Sequence, residues 1–194
     1  MTTILFLLGW AMIFGAFVWA TQAHFAQGTK TIATFLIYLF SVATFVCGSV
    51  AVVVQPLALW QMSLGALISL LGAALFYWAI HVTRAHNFHL AYAREKPQTL
   101  VTRGPYAIVR HPFYLAYLMF WVGMYVTAPW WPTLACLLAL LWLYVVAART
   151  EETRFAETEF AQAHQKYKQS VGFLTPNLRK IVQPSFLSTS LRPQ

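Results

Sequence analysis

The sequence predicts an all-α integral-membrane protein, and three observations carry that prediction. Of 194 residues, 59% are hydrophobic and only 9% charged, a balance that soluble globular domains do not have. The charges fall in blocks: none before Lys30, none from Thr31 to Thr83, and none from His111 to Ala148 with histidine counted neutral. Each gap is long enough for one or more bilayer crossings at about 20 residues apiece. Backbone in lipid must satisfy its own hydrogen bonds, so these gaps are read as helices.

Five spans follow, at residues 4–22, 32–54, 57–82, 112–127 and 130–148. The first has no basic residue ahead of it, so it reads as a mature helix and not as a signal peptide. In the third, Gly65, Ser69 and Ala73 recur every four residues and suggest a close helix-packing seam. The fourth is short, and the break Ala128-Pro129-Trp130-Trp131-Pro132 makes the fourth and fifth a tight helical hairpin with tryptophans at interfacial height. Beyond the fifth span, Phe155, Phe160, Ala163 and Tyr167 recur at roughly helical spacing between Glu152 and Ser170, with Lys166 and Lys168 elsewhere on the surface. That pattern predicts an interfacial amphipathic helix, which Gly172 can end and Pro176 keeps from resuming.

Orientation comes from the basic residues. The thirteen lysines and arginines are Lys30, five from Arg84 to Arg110, and seven from Arg149 to Arg192, while Gln55-Pro56 and the Trp-Pro turn carry none. The positive-inside rule then places the N-terminus outside and the C-terminus in the cytoplasm, the parity that five helices require. An inner-membrane location is expected. The net charge of +8 suits anionic lipid headgroups on that face, and nucleic acid is not needed to explain it. Cys47 and Cys136 lie within spans without CxxC spacing and predict neither disulfide nor zinc.

Polar residues gather at two places on one membrane face, the connection from Arg84 to His111 and the junction Ala148-Arg149-Thr150-Glu151-Glu152. The chain has only five acidic residues and no aspartate. Two adjacent carboxylates at a helix C-terminus oppose the helix dipole by about 0.3 to 1 kcal/mol each, so a cation should compensate. Arg149 and Arg154 at the surface, or a cationic ligand, both satisfy that demand. At the other place, Gly104-Pro105 marks a turn, and Pro112 suits the first turn of the fourth helix. Arg110 and His111 therefore stand at a helix N-terminus, where free N–H groups, a guanidinium and an imidazole favour a carboxylate, a phosphate or a purine edge. Snorkelling of Arg110 to lipid phosphate and simple capping by His111 are the plainer alternatives. The hairpin brings the two places together, so a ligand carrying both charges would suit the space between them.

The string Gly104-Pro105-Tyr106, Val109-Arg110-His111-Pro112-Phe113-Tyr114-Leu115-Ala116, a spacer of 34 residues, then Glu151-Glu152 with Phe155, Phe160, Tyr167 and Pro176 after it, resembles the isoprenylcysteine carboxyl methyltransferase and phospholipid methyltransferase superfamily. That superfamily carries RHPxYxG and, some tens of residues later, EE. The resemblance covers residues 84–176, and Ala116 departs from the usual glycine. It implies one membrane domain over 1–194, divided into three transmembrane helices (1–83), a cofactor-binding and catalytic region (84–176) and a C-terminal tail (177–194). The implied cofactor is S-adenosylmethionine, held by Gly104, Pro105, Tyr106, Val109, His111, Tyr114, Glu151 and Glu152. Arg110, Arg149 and Glu152 are the implied catalytic residues. Asn87-Phe88 would stand behind the cofactor loop.

Methyl transfer from a sulfonium needs alignment, exclusion of water and an unprotonated nucleophile more than it needs covalent help. Arg149 or Arg110 would orient a carboxylate acceptor, and Glu152 or His111 would take the proton of a thiol or amine. A site at the inner mouth of the last two spans suits an amphiphilic or lipidated acceptor entering from the bilayer. A metal site at His81, His86 and His89 lacks nearby carboxylates except Glu95, and His24 and His164 have no assigned role. Two rival functions remain open: a membrane reductase of sterol or enone type using NADPH, and a non-enzymatic binding protein. Adjacent glutamates suit a sulfonium and an ammonium better than a dinucleotide diphosphate, and a shared purpose for them and His111 favours an enzyme.

Overall fold

The computed structural model describes residues 2–23, 25–26, 32–84, 88–89 and 99–177. Its helices in chain order are α1 Thr2–Ala23, α2 Ile32–Val54, α3 Leu59–Thr83, α4 Pro112–Thr127, α5 Trp131–Phe155 and α6 Ala161–Ser170. The first five overlap the five segments expected as spans, and four of them, α1, α2, α3 and α5, are long and apolar enough to cross a membrane. Helix α4 is shorter, at 16 residues, or about 24 Å against a hydrocarbon core of about 30 Å. Outward-facing Leu59, Met12, Ile32 and Trp142 are all more than half exposed, the arrangement expected where the solvent is lipid. Trp60 and Trp131 stand exposed at one end of the bundle, and Trp19 and Trp78 toward the other, as interfacial belts do.

Two two-residue segments, Phe25–Ala26 and Phe88–His89, pair in parallel. This backbone contact joins the α1–α2 connection to the α3–α4 connection, so both lie at one end of the bundle. Lys30, Asn87, Glu95, His24, His86 and the tail from residue 178 lie outside the described residues.

Small residues decide which helices approach closely. On α3 the buried set Gly65, Ser69, Gly72 and Phe76 faces α4, where Gly123 and Ala116 are also buried. A side chain on Gly65 would meet the Thr127 side chain and, at 2.5 Å, the Gly123 carbonyl; one on Gly72 would meet the Ala116 carbonyl at 2.9 Å. The seam therefore runs through Gly72 and not through Ala73, which lies half-buried beside it. Gly72 also accommodates Ala116, which is fully buried where the family motif has glycine.

The expected hairpin of α4 and α5 has a short turn, and within the bundle α4 packs chiefly on α3 and α5 on α2. Between α4 and α5 lies a layer of rings: Tyr144 stacks with Tyr114 at 5.5 Å and Tyr117 at 5.8 Å, and accepts a hydrogen bond from Trp121 Nε1. Glycine lets backbones touch, whereas a layer of tyrosines holds them apart. Helix α1 closes the core by setting Phe17 against Phe76, Tyr117 and Phe120.

Two boundaries also differ from expectation. Helix α5 continues past residue 148 to Phe155, because arginine and glutamate are good helix formers and loss of hydropathy marks the membrane edge, not the helix end. Residues 152–170 are not one helix: α5 ends, a turn closed by Ala156 N–H to Thr153 O and Ala161 N–H to Thr158 O intervenes, and α6 follows.

Candidate active site

Glu151 and Glu152 are carried to the bundle interior by the periodicity of α5. Leu140, Tyr144, Ala147 and Ala148 form its buried stripe, and Glu151 and Glu152 continue that stripe by one turn. Glu151 lies 20 residues past Trp131, about 30 Å along the axis, which matches the thickness of a hydrocarbon core. Opposite them, Pro112 begins α4 and His111 occupies its N-cap position. The residues before it form a short 3₁₀ turn, Gly104–Ala107. Gly104 has φ +62° there, and a side chain on it would press on Val82 Cγ2 at 2.6 Å; both the conformation and the space call for glycine.

His111 stands between the two carboxylates. Its Nε2 is 3.1 Å from Glu152 Oε1 and its Nδ1 is 3.4 Å from Glu151 Oε2. Burial disfavours the charged imidazole, but its hydrogen bonds and charge pairing with Glu151 and Glu152 outweigh that and raise its pKa above 6.5. Donating at both nitrogens requires the imidazolium.

The carboxylates differ in their partners. Glu152, 10% exposed, accepts from Arg110 Nε at 2.7 Å and His111 on Oε1, and from Lys168 Nζ at 3.2 Å on Oε2. Glu151, 30% exposed, accepts the Tyr114 hydroxyl at 3.2 Å and faces His111. Glu151 is thus the carboxylate with room for another donor. Among the described residues, Arg110, His111 and Lys168 face these carboxylates as cations. Arg149 is exposed on α5, and the structure does not bring it into the cluster.

Arg110 is turned inward, 12% exposed, so it does not snorkel outward. Its Nη1 donates to the carbonyls of Lys168 and Val171, and its backbone N–H donates to Gly172 O at 2.8 Å. Val109 bridges Gly172 in parallel, and Phe173 covers both the His111 ring at 4.9 Å and the Arg110 guanidinium at 5.5 Å. The Tyr167 hydroxyl donates to Tyr106 O at 2.6 Å; burial raises the pKa of both tyrosines, keeping them neutral donors. Gly104 thus packs against α3, Tyr106 is tied to α6 and Val109 to the segment after it, whereas His111, Tyr114, Glu151 and Glu152 meet in the cluster.

Lys168, Gly172 and Phe173 are the residues that sequence reasoning missed. Lys168, expected elsewhere on the surface, reaches the site because it shares the inner face of α6 with buried His164 and Tyr167, at i, i+3 and i+4 spacing. His164 gains a structural role: buried, it stacks on Phe155 at 4.5 Å and docks α6 onto the end of α5. His81 is exposed on the last turn of α3.

Residues 60–163 match the family model described as phospholipid methyltransferase. Comparison with curated proteins finds no match. Among solved structures, the fold is similar to that of the eukaryotic intramembrane Ras methyltransferase, isoprenylcysteine carboxyl methyltransferase, with a TM-score of 0.53 and 23% identity over 76% of this chain and 52% of that one. The chain thus spans about half the length of that protein.

Proposed function

This chain belongs to the phospholipid methyltransferase family, and from that premise we propose that it transfers a methyl group from S-adenosylmethionine to an amphiphilic acceptor at the cytoplasmic face of the membrane. It is an integral-membrane methyltransferase with four helices long and apolar enough to cross a bilayer. The observation that carries the reading is the convergence of His111 and Tyr114 from the start of α4 with Glu151 and Glu152 from the end of α5.

The donor set fits the cofactor. Glu151 has carboxylate capacity left for an ammonium, Tyr114 and Phe173 offer ring faces or edges to a cation, and the N-terminus of α4 favours a carboxylate. When bound, S-adenosylmethionine supplies a methyl group already activated by its sulfonium. The chain's own residues then bind and orient. Glu151 anchors the cationic end, Glu152 holds His111 and Arg110 in place, and Phe173 shields both from water. His111 is the group best placed to hold or release a proton, and Glu152, already bound to three donors, supports it. Arg110 acts through Glu152; Arg149, exposed beside the glutamates, is left as a candidate for orienting an acidic acceptor headgroup. The acceptor is amphiphilic on this reading because the carboxylates stand about one bilayer thickness along α5, at the boundary where tail and headgroup separate. Five helices and the positive-inside rule support the cytoplasmic orientation.

Calorimetric titration of detergent-purified protein with S-adenosylhomocysteine, and in parallel with NADPH, tests the reading. Binding of the homocysteine analogue is expected, and binding of NADPH alone would overturn it. Equal turnover of tail-free and lipidated acceptors would remove the amphiphile.

A further inference from the structure

The family match ends at residue 163, yet the site is completed by residues beyond it. Glu152 has one oxygen shared by Arg110 and His111, and its other oxygen is held by Lys168 from α6. We propose that Lys168 is a positioning residue: by holding Oε2 of Glu152 it aims Oε1 at Arg110 and His111, and so leaves Glu151 as the open carboxylate of the cofactor site. The proposal rests on the functional reading above for the identity of the ligand.

Three features distinguish this contact from a surface ion pair, which contributes little. Glu152 and Arg110 are only 10% and 12% exposed, so the carboxylate that the 37%-exposed Lys168 holds lies largely out of water. Lys168 is fixed at its backbone as well, since its carbonyl accepts from Arg110 Nη1; the residue grips the cluster from both ends. The helix that carries it is docked independently by the His164 stack on Phe155 and by the bond from Tyr167 to Tyr106. Without Lys168, Glu152 keeps two donors on one oxygen and none on the other, and the carboxylate is free to rotate. His111, whose two nitrogens face two different glutamates, would then follow whichever carboxylate moves.

Electrostatics and positioning predict opposite outcomes. Removing a lysine near a site for a cationic group should tighten binding by Coulomb attraction alone. Removing a residue that aims the site should weaken it. Titration of the full-length, detergent-purified protein with S-adenosylhomocysteine is therefore expected to show about tenfold weaker binding for Lys168→Met. Lys168→Arg should bind within about twofold of wild type, since it restores a charged donor. Lys166→Met controls for lost charge, because Lys166 is exposed on the same helix, and should bind as wild type does. Unchanged or tighter binding by Lys168→Met would overturn the proposal. Lys168→Leu carries the same expectation where Lys168→Met does not fold.

A second readout needs no ligand. Loss of the Lys168 charge leaves the two carboxylates less compensated, so the NMR titration of His111 should move to higher pH in Lys168→Met and return in Lys168→Arg. A wild type that does not bind S-adenosylhomocysteine strikes the functional reading; an unmoved His111 titration strikes the role of Lys168.

Discussion

Nε2 of His111 lies 3.1 Å from Oε1 of Glu152, joining the residue before α4 to the last turn of α5 across 41 residues of chain. The same imidazole faces Glu151 with its other nitrogen. A buried ring so placed is a bridge between two helix ends, and it makes the site depend on a proton.

The pH dependence has a definite sign. The folded pKa of His111 lies above its ordinary value of 6.5, so its contribution to stability is fully present below that value and is lost as pH rises through the folded pKa. Melting temperatures of wild type and His111→Gln in detergent should therefore converge toward alkaline pH. A difference independent of pH would show that His111 carries no proton in the folded protein.

Glu151→Gln and Glu152→Gln should separate binding from folding. Glu152 is buried among three donors, and neutralising it leaves Arg110, Lys168 and His111 uncompensated, a loss on the order of 3 kcal/mol visible as a lowered melting temperature. Glu151 is more exposed and less engaged, so its amide variant should lose less than about 1 kcal/mol while its affinity for S-adenosylhomocysteine falls. Equal stability losses in the two variants would contradict the division of roles.

The seam between α3 and α4 should not tolerate a larger residue. A Cβ on Gly123 would sit 2.6 Å from the Gly65 carbonyl and press on Ser69, and both neighbours belong to packed helices. Gly123→Val should cost roughly 1 to 3 kcal/mol by overpacking, read as a lower melting temperature; unchanged stability would mean that the helices part freely there.

Tyr167→Phe tests the C-terminal dock. It removes the 2.6 Å bond to the Tyr106 carbonyl while keeping the ring, at a cost of about 1 kcal/mol. Faster proteolysis at Lys166 and Lys168 is the expected sign that α6 has loosened, and wild-type resistance would assign the docking to the His164 stack alone.

Hydropathy was enough to find all five helices of the bundle and, except for the end of α5, to bound them to within a few residues, because lipid imposes one requirement on every crossing: apolar surface and internally bonded backbone. The local motif likewise named His111, Tyr114, Glu151 and Glu152, whose side chains meet in the structure, since Pro112 and the hydropathy edge of α5 fix the ends that carry them. What the sequence could not decide was which side chain answers which. Hydropathy ended α5 at residue 148, but helix propensity carried it to Phe155 and turned the glutamates inward. Small residues on α3 drew α4 away from its chain neighbour, and tyrosines filled the gap. Lys168 and Phe173 entered the site from a polar stretch whose own composition gave no reason to prefer it, because pairing across 16 to 63 residues is settled by packing, where every donor must find its acceptor out of water at once.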